Sequence, residues 1–214
     1  MKTLNELIAA IPISASANQN TDNIKVTGIT LDSREVKPGF IFAAIKGLSQ
    51  DGHKYIPNAI EKGAVAILGN HTPEQPLAVP YLTVQDTREA LAYIAAALED
   101  FPARKLTILG VTGTDGKTTT SMILYHILKT AGLKTGLITT VSAIIGDEEL
   151  DTGFHVTTPE AVDVQKYLRM MVDAGMTHIV LETTSHGLAQ HRVTGCDYDI
   201  GVVTNITHEH LDYH

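Results

Sequence analysis

The sequence predicts an α/β protein in two parts: a small mixed α/β N-terminal domain, followed by part of a doubly wound parallel-sheet domain. Strand and helix patterns alternate along the second half, which is typical of doubly wound sheets. The stretch "KLTILGVTG" is almost continuously apolar, as in a strand buried on both faces of a parallel sheet. With 43% hydrophobic and 19% charged residues, the composition suits a globular protein with a sizeable core.

Short strands and helices are predicted in the first half, starting with an amphipathic helix in "MKTLNELIAA". Two strands are predicted in "VTGITLDSREV" and "GFIFAAI", joined by the Pro38-Gly39 turn. A helix that passes into a strand through Gly63 is predicted in "YIPNAIEKGAVAIL", and a further strand in "YLTVQ". Asp86 is the expected N-cap of a helix in "TREALAYIAAALEDF".

A domain boundary is expected at "FPARK", near residue 103, where the pattern changes. The predicted domains are therefore 1–102 and 103–214. The predicted order after the boundary is strand "KLTILGVTG", helix "KTTTSMILYHILKTAG", strand "KTGLITTV", helix "TPEAVDVQKYLRMMVDAG", strand "THIVLETTS" and strand "YDIGVVTNI". Ligands of such sheets bind at the carboxyl ends of the strands, so polar motifs at those ends are the functional candidates.

Charge and composition exclude several classes of protein. The net charge of −8 argues against non-specific nucleic-acid binding, which needs a basic surface, so we expect no nucleic-acid partner. No apolar stretch approaches the roughly 18 residues of a membrane span, so no membrane partner is expected either. The single cysteine, Cys196, excludes an intramolecular disulfide and is expected to be a buried small hydrophobe. These observations predict a cytoplasmic protein.

The stretch "GVTGTDGKTTT" follows a predicted strand and opens a predicted helix. Gly113 and Gly116 allow a tight turn whose N–H groups point at an anion. Lys117 can neutralise the β- and γ-phosphates of a nucleotide, and the Thr118 hydroxyl can hold magnesium. Val111 stands where the longer P-loop pattern has its first glycine, so the match is the shorter G-x-x-G-K-T. The strand before and the helix after it favour nucleotide-phosphate binding over a simple helix start, and predict a P-loop domain.

Four motifs in order resemble the central domain of the Mur ligases: "GVTGTDGKTTT", "HVTTPE", "ETTSHGLAQHRV" and "TNITHEHLDYH". Mur ligases are ATP-dependent enzymes that add amino acids to the UDP-linked peptidoglycan precursor. The stretch "LDSREVKPGFIFAAIKGLSQDGHKYIPNAIEKGA" resembles the UDP-binding first domain of that family. The pairing of "TTPE" with "TSHGLAQHRV" is most similar to the members that add the third residue. Family members continue well past "LDYH", so we expect an N-terminal fragment that is inactive alone.

The resemblance implies a set of site residues. The residues expected to bind ATP are Gly113, Thr114, Asp115, Gly116, Lys117, Thr118 and Thr119. The residues expected to bind Mg²⁺ are Thr118, Glu182 and His210, and the expected catalytic residues are Lys117, Glu182 and His210. The residues expected to bind the substrate are Leu31, Ser33, Leu48, Ser49, Gln50, Thr157, Thr158, Thr184, Gln190 and Arg192.

Local chemistry is compatible with several of these assignments. Glu182 ends a predicted strand, where a second acidic metal ligand is wanted. Thr158 is the expected N-cap of a helix that has Pro159 in its first turn. Arg192 can clamp a carboxylate or a phosphate in bidentate fashion. Asp115 departs from the asparagine that is commonest in this loop of the family, which adds negative charge beside a triphosphate.

The segment "HEHLDYH" also permits other interpretations. His208 and His210 could present two imidazoles to zinc, but the segment lies in a predicted loop and no third ligand has regular zinc spacing. A purification tag would be an uninterrupted histidine run. His208 is expected to face solvent, and the role of His210 follows from the resemblance alone.

The resemblance implies an ATP-dependent amide-forming ligase that adds L-lysine or meso-diaminopimelate to UDP-N-acetylmuramoyl-L-alanyl-D-glutamate through an acyl phosphate. One alternative is a non-catalytic nucleotide-binding module. Another is a different amide ligase of the same superfamily, either one that adds D-alanyl-D-alanine or one like folylpolyglutamate synthase. The motifs "HVTTPE" and "SHGLAQHRV" argue against both of those ligases. The sequence carries no signal for the oligomeric state.

Overall fold

The computed structural model describes residues 1–47, 50–71, 73, 75–151 and 158–208. The chain divides into two compact units, Met1–Asp100 and Phe101–His214. Each unit contains its own sheet and helices, which confirms the predicted α/β class. Among the described residues, no helix is long and apolar enough to cross a membrane.

The first unit is built on a five-stranded sheet. The strands of this unit, including two that lie outside the five-stranded sheet, are β1 (Lys2–Thr3), β2 (Ala15–Ala17), β3 (Lys25–Val26), β4 (Gly28–Thr30), β5 (Phe40–Ala43), β6 (Ala66–Gly69) and β7 (Tyr81–Val84). Its helices are α1 (Leu4–Ala9), α2 (Ile56–Glu61) and α3 (Thr87–Leu98), with a 3₁₀ turn at Gly52–Tyr55. The sheet order is β2-β7-β6-β5-β4, and β2 is its antiparallel member. The β1 and β3 strands pair separately.

Local signals explain most of these elements. The Thr3 and Glu6 side chains form a capping box at the start of α1. Asp86 caps α3 as predicted, because its carboxylate accepts hydrogen bonds from two backbone N–H groups of the first turn. The predicted strands around Pro38 and Gly39 are present, but they do not form a hairpin. The β4 and β5 strands are parallel, so the segment between them is a crossover rather than a tight turn.

The second unit is built on a six-stranded sheet. Its strands are β8 (Thr107–Thr112), β9 (Thr135–Ile138), β10 (Ser142–Ile145), β11 (Glu148–Asp151), β12 (His178–Glu182) and β13 (Ile200–Val203). Its helices are α4 (Lys117–Thr130), α5 (Ala161–Asp173) and α6 (Ser185–Ala189), with a 3₁₀ turn at Pro102–Lys105. The sheet order is β11-β10-β9-β12-β8-β13. The strands β9, β12, β8 and β13 are parallel to one another. The strands β10 and β11 extend the sheet beyond β9 as an antiparallel hairpin.

The central strands β8 and β12 are buried on both faces, as the apolar run "KLTILGVTG" predicts. One face carries Ile108 and Ile179, which pack against Leu168 and Met171 of α5. The opposite face belongs to a cluster of Leu109, Val111, Tyr125, Leu137 and Val180. Since β8, β9, β12 and β13 run in the same direction, their carboxyl ends lie at one edge of the sheet.

The expected N-cap of α5 is wrong. The helix begins at Ala161 with Glu160 as its cap residue, and no side chain caps it. The Thr158 hydroxyl instead lies 3.1 Å from the Thr184 hydroxyl, so it joins two loops rather than starting the helix. The sequence pattern of a threonine before a proline cannot distinguish these two uses of one hydroxyl group.

Candidate functional site

The phosphate loop, residues 113–116, connects the end of β8 to the start of α4. Gly116 has a φ of +80° and is the residue before the helix, a conformation that favours glycine. The Lys117 Nζ donates hydrogen bonds of 2.7 Å to the backbone oxygens of both Gly113 and Thr114. The lysine thus lies against the loop at the amino end of α4, where the helix dipole favours an anion. Thr119 is exposed in the first turn of the same helix.

Glu182 lies beside this loop at the end of β12, and it is only 1% exposed. Its Oε1 accepts a hydrogen bond of 2.9 Å from the Thr118 hydroxyl. Its other contacts come from Thr140, whose backbone N–H and hydroxyl lie 3.2 Å from Oε2 and Oε1. The structure therefore brings together two of the three predicted magnesium ligands, Thr118 and Glu182, and adds Thr140, which was not predicted.

Residues 204–207 follow β13 at the same edge and contact the phosphate loop directly. The Asp115 N–H donates to the Asn205 Oδ1 at 3.0 Å, and the Asn205 Nδ2 donates to the Asp115 backbone oxygen at 3.0 Å. The Thr204 hydroxyl donates to that same oxygen at 2.7 Å. Asp115 is exposed, and these contacts use only its backbone. The sequence prediction placed Thr204 and Asn205 inside the strand "YDIGVVTNI", but the strand ends at Val203, so both residues are in the loop that follows it.

A second group of predicted residues meets at the loop after β12. The Thr184 hydroxyl accepts a hydrogen bond from Gly187 N–H and lies next to the Thr158 hydroxyl. The Arg192 guanidinium donates to the Thr158 backbone oxygen at 2.7 Å and to the Gln190 Oε1 at 2.7 and 3.0 Å. It also pairs with Glu160 at 3.1 Å. Thr158, Thr184, Gln190 and Arg192 therefore form one cluster, in which the arginine already has an internal carboxylate partner.

In the first unit, Leu31, Ser33 and Gln50 line a cavity of about 510 Å³. Ser33 is 8% exposed, and Gln50 accepts a hydrogen bond from the Tyr55 hydroxyl. Arg88 from the start of α3 also lines the cavity, although it was not predicted as a site residue. The Arg34 guanidinium hydrogen-bonds Asp32 at the cavity wall and lowers the pKa of that carboxyl.

The remaining predictions have mixed outcomes. Leu48, Ser49, Thr157 and His210 lie outside the described residues. His208 is exposed, as predicted. Within the described part of the chain, no group of three or more His, Cys, Asp or Glu side chains could hold a metal ion. Cys196 is fully buried as predicted, and burial raises the pKa of its thiol to about 12.

Comparison with known families supplies the decisive observation. Residues 111–214 match the model of the Mur ligase middle domain, and residues 25–98 match that of the Mur ligase family, catalytic domain. The chain belongs to the Mur ligase family. It spans less than half of the length of the curated Mur ligases that it matches.

Two of those relatives are named for the synthesis of a UDP-linked muramoyl peptide. The chain is 47% identical over 213 residues to the UDP-N-acetylmuramyl-tripeptide synthetase of Deinococcus radiodurans, covering 99% of this chain and 44% of the relative. It is 41% identical over 213 residues to the UDP-N-acetylmuramoyl-L-alanyl-D-glutamate–2,6-diaminopimelate ligase of Bacteroides thetaiotaomicron, covering 99% and 43%.

Solved Mur ligase structures share this fold. A UDP-N-acetylmuramoyl-L-alanyl-D-glutamate–2,6-diaminopimelate ligase superposes with a TM-score of 0.80 at 27% identity, covering 100% of this chain and 42% of the other. The MurF ligase of Thermotoga maritima, solved in complex with ADP, superposes with a TM-score of 0.54 at 26% identity, covering 86% and 38%.

Proposed function

We propose that this chain is the ATP-binding and UDP-binding part of a ligase that adds the third amino acid to UDP-N-acetylmuramoyl-L-alanyl-D-glutamate. The observation that carries the proposal is the arrangement at the sheet edge of the second unit. The phosphate loop and the buried carboxylate of Glu182 lie together there, and the cluster around Thr184 begins two residues further along the chain. The names of relatives at 41–47% identity support the choice of reaction.

The phosphate loop is the proposed site of the ATP triphosphate. Its lysine at the helix start supplies positive charge, and the first-turn N–H groups of α4 have no partner within the helix. Lys117 would exchange the Gly113 and Thr114 carbonyl oxygens, both at 2.7 Å, for phosphate oxygens. The ADP complex of the Thermotoga maritima relative supports a nucleotide in this family fold.

Magnesium fits the residues beside the loop. The metal prefers oxygen ligands, and the Thr118 hydroxyl and Glu182 carboxylate converge to 2.9 Å. When bound, it would neutralise charge on the transferred phosphoryl group. The two hydrogen bonds from Thr140 hold the Glu182 carboxylate in place for this role. His210 remains a proposed third ligand.

Two groups of residues are proposed to bind different parts of the substrate. The uridine diphosphate group would occupy the cavity around Ser33, and the peptide part would reach the cluster of Thr158, Thr184 and Arg192. To bind Arg192, a substrate carboxylate would have to compete with the Glu160 carboxylate for the guanidinium group. The bidentate geometry of a guanidinium suits such a carboxylate.

The proposed reaction is an in-line phosphoryl transfer followed by acyl transfer. The substrate carboxylate oxygen attacks the γ-phosphorus of ATP, and the bond from that phosphorus to the β–γ bridging oxygen breaks. The amine of the incoming amino acid then attacks the acyl phosphate, and inorganic phosphate leaves as the amide forms. The protein contributes mainly by holding the reacting groups and neutralising their charge, which is the role proposed for Lys117 and the loop.

The amino acid to test first is 2,6-diaminopimelate, because several relatives are named for it, with L-lysine as the alternative. The solved structure whose name describes a D-alanyl-D-alanyl ligase matches at 19% identity, which supports the fold alone. A cytoplasmic location is proposed, since ATP and UDP-linked precursors are the expected substrates.

Calorimetry on the 214-residue chain tests the proposal. Mg-ATP and UDP-N-acetylmuramoyl-L-alanyl-D-glutamate are titrated separately, and both are expected to bind at one site each. Binding of the nucleotide alone would favour a nucleotide-binding module over a ligase part. Binding of neither compound by the folded chain would contradict the proposal.

A further inference from the structure

Residues 204–207, which we call the clamp segment, hold the phosphate loop through hydrogen bonds along its length. Asn205 carries three of them: its backbone oxygen accepts from Thr114 N–H at 2.9 Å, and its side-chain amide pairs with both backbone polar groups of Asp115. Thr204 adds its hydroxyl bond to the Asp115 oxygen. The Thr207 N–H donates to the Thr114 hydroxyl at 3.0 Å. The loop is thus fixed from outside its own sequence.

The hydrogen bonds of the clamp segment determine which N–H groups of the phosphate loop can face a phosphate. The N–H groups of Thr114 and Asp115 both point to Asn205, so they are directed away from an anion at the helix start. The N–H groups of residues 117–119, in the first turn of α4, have no partner within the helix. We therefore expect the backbone N–H groups of the first turn of α4, rather than those of Thr114 and Asp115, to face an anion bound at this loop.

Gly113 shows how closely the clamp segment approaches the loop. A Cβ at this position would lie 2.1 Å from the Thr204 hydroxyl oxygen and 2.8 Å from the Asn205 backbone oxygen. A Cβ at Gly116, by contrast, would meet no atom within 4 Å. Within the described structure, Gly113 is thus required by the clamp segment, whereas Gly116 is favoured only by its backbone conformation.

We propose that Thr204 and Asn205 are positioning residues for nucleotide binding, which set the phosphate loop without contacting the nucleotide. The part of the proposal that concerns nucleotide affinity rests on the function proposed above. The clamp segment contacts Asp115 only through its backbone, so the side chain at this position is not part of the clamp. Replacing Asp115 by asparagine should therefore leave the clamp intact.

The test uses the 214-residue chain and four variants. Asn205→Ala and Thr204→Val remove the side-chain bonds to Asp115, whereas Thr204→Ser keeps the hydroxyl. Thr207→Val is the matched control, because Thr207 contacts the loop through its backbone. The first measurement is amide hydrogen exchange by NMR without nucleotide, with the N–H of Val180 in buried β12 as the reference for global unfolding.

Exchange at Asp115 is expected to rise about tenfold in Asn205→Ala, because that amide loses its hydrogen-bond acceptor, while Val180 is unchanged. Thr204→Val is expected to weaken Mg-ADP binding severalfold, and Thr204→Ser and Thr207→Val to match the unaltered chain. On addition of Mg-ADP, the amide signals of residues 117–119 should shift more than those of residues 114–115.

Two results would contradict the proposal. The first is an unchanged exchange rate of the Asp115 amide in Asn205→Ala, and the second is an equal loss of Mg-ADP affinity in Thr207→Val and Thr204→Val. If the chain binds no Mg-ADP while Asp115 protection still depends on Asn205, the function proposed above fails and the loop clamp stands. If Mg-ADP binds Asn205→Ala and Thr204→Val as tightly as it binds the unaltered chain, the positioning role fails and the proposed function stands.

Discussion

The two candidate binding regions of this chain are built in different ways. The proposed nucleotide site of the second unit is one continuous segment, residues 113–119, which contains the phosphate loop, Lys117 and the first turn of α4. The cavity of the first unit is lined by side chains from separate segments, including Ser33, Gln50 and Arg88. A site made of contiguous backbone is visible in a sequence, whereas one assembled from dispersed side chains needs the fold.

The electrostatics of the two regions differ as well. Glu182 is 1% exposed and accepts hydrogen bonds from Thr118 and Thr140. Asp32 pairs with Arg34, but the side chain of Arg34 is 85% exposed, so solvent screens this pair. Changes in the second unit should therefore have larger effects than changes in the first.

The largest effect is expected for Gly113→Ala compared with Gly116→Ala. Both residues have positive φ, but only Gly113 would place a Cβ against Thr204 and Asn205. Backbone strain and overpacking together should lower the free energy of unfolding by about 3 kcal/mol in Gly113→Ala, against about 1 kcal/mol in Gly116→Ala. Urea unfolding of both variants checks this difference, and equal losses would contradict it.

Glu182→Gln should raise the Mg²⁺ concentration needed for half-maximal nucleotide binding by about tenfold or more, since the variant lacks the anionic oxygen that the metal prefers. Glu148→Gln is the matched control, because Glu148 is exposed on β11. Mg²⁺ titrations at fixed ADP concentration measure the effect. An unchanged magnesium dependence in Glu182→Gln would remove this residue from the proposed metal site.

Cys196 predicts an alkaline loss of stability in the second unit. The folded thiol has a pKa of about 12 against an ordinary value of 9.0, so above pH 9 the unfolded chain loses a proton that the folded chain keeps. The free energy of unfolding should fall by about 1.4 kcal/mol per pH unit from pH 9 toward 12. Urea unfolding at pH 8 and 10 should show a smaller loss in Cys196→Ala. Equal losses in the two proteins would contradict the prediction.

The smallest effect is expected in the first unit. Ser33→Ala should weaken binding of uridine diphosphate about two- to tenfold, which is the usual effect of one hydrogen bond. Ser16→Ala, on the exposed part of β2, is the control and should bind normally. Calorimetric titration measures both. Wild-type affinity in Ser33→Ala would place the uridine diphosphate elsewhere.

The same contrast explains what could be predicted from sequence. The order of strands and helices around "GVTGTDGKTTT" and the position of Glu182 at a strand end follow from apolar periodicity and local motifs. The β10–β11 hairpin was not predicted, although Gly146 in "IIGDEEL" is a turn signal. Sequence patterns do not show which strands become neighbours in the sheet. The contacts between residues far apart in the sequence depend on that pairing, so they could not be predicted.

Asn205 and Thr140 illustrate this limit. Asn205 contacts a residue 90 positions earlier, because β13 pairs with β8. Thr140 contacts Glu182 across 42 positions, because β9 pairs with β12. Thr158 was predicted as a helix cap from its neighbours, but a contact with Thr184, 26 positions away, uses its hydroxyl.

The measurement that tests the central claim most directly is calorimetric titration of Mg-ATP into the Lys117→Ala and Lys134→Ala variants. Lys134 is an exposed lysine of the same unit, so its loss removes the same charge without changing the phosphate loop. The account predicts that Lys134→Ala binds Mg-ATP like the unaltered chain and that Lys117→Ala shows no measurable binding. Equal binding by the two variants would contradict the assignment of residues 113–119 as the nucleotide site.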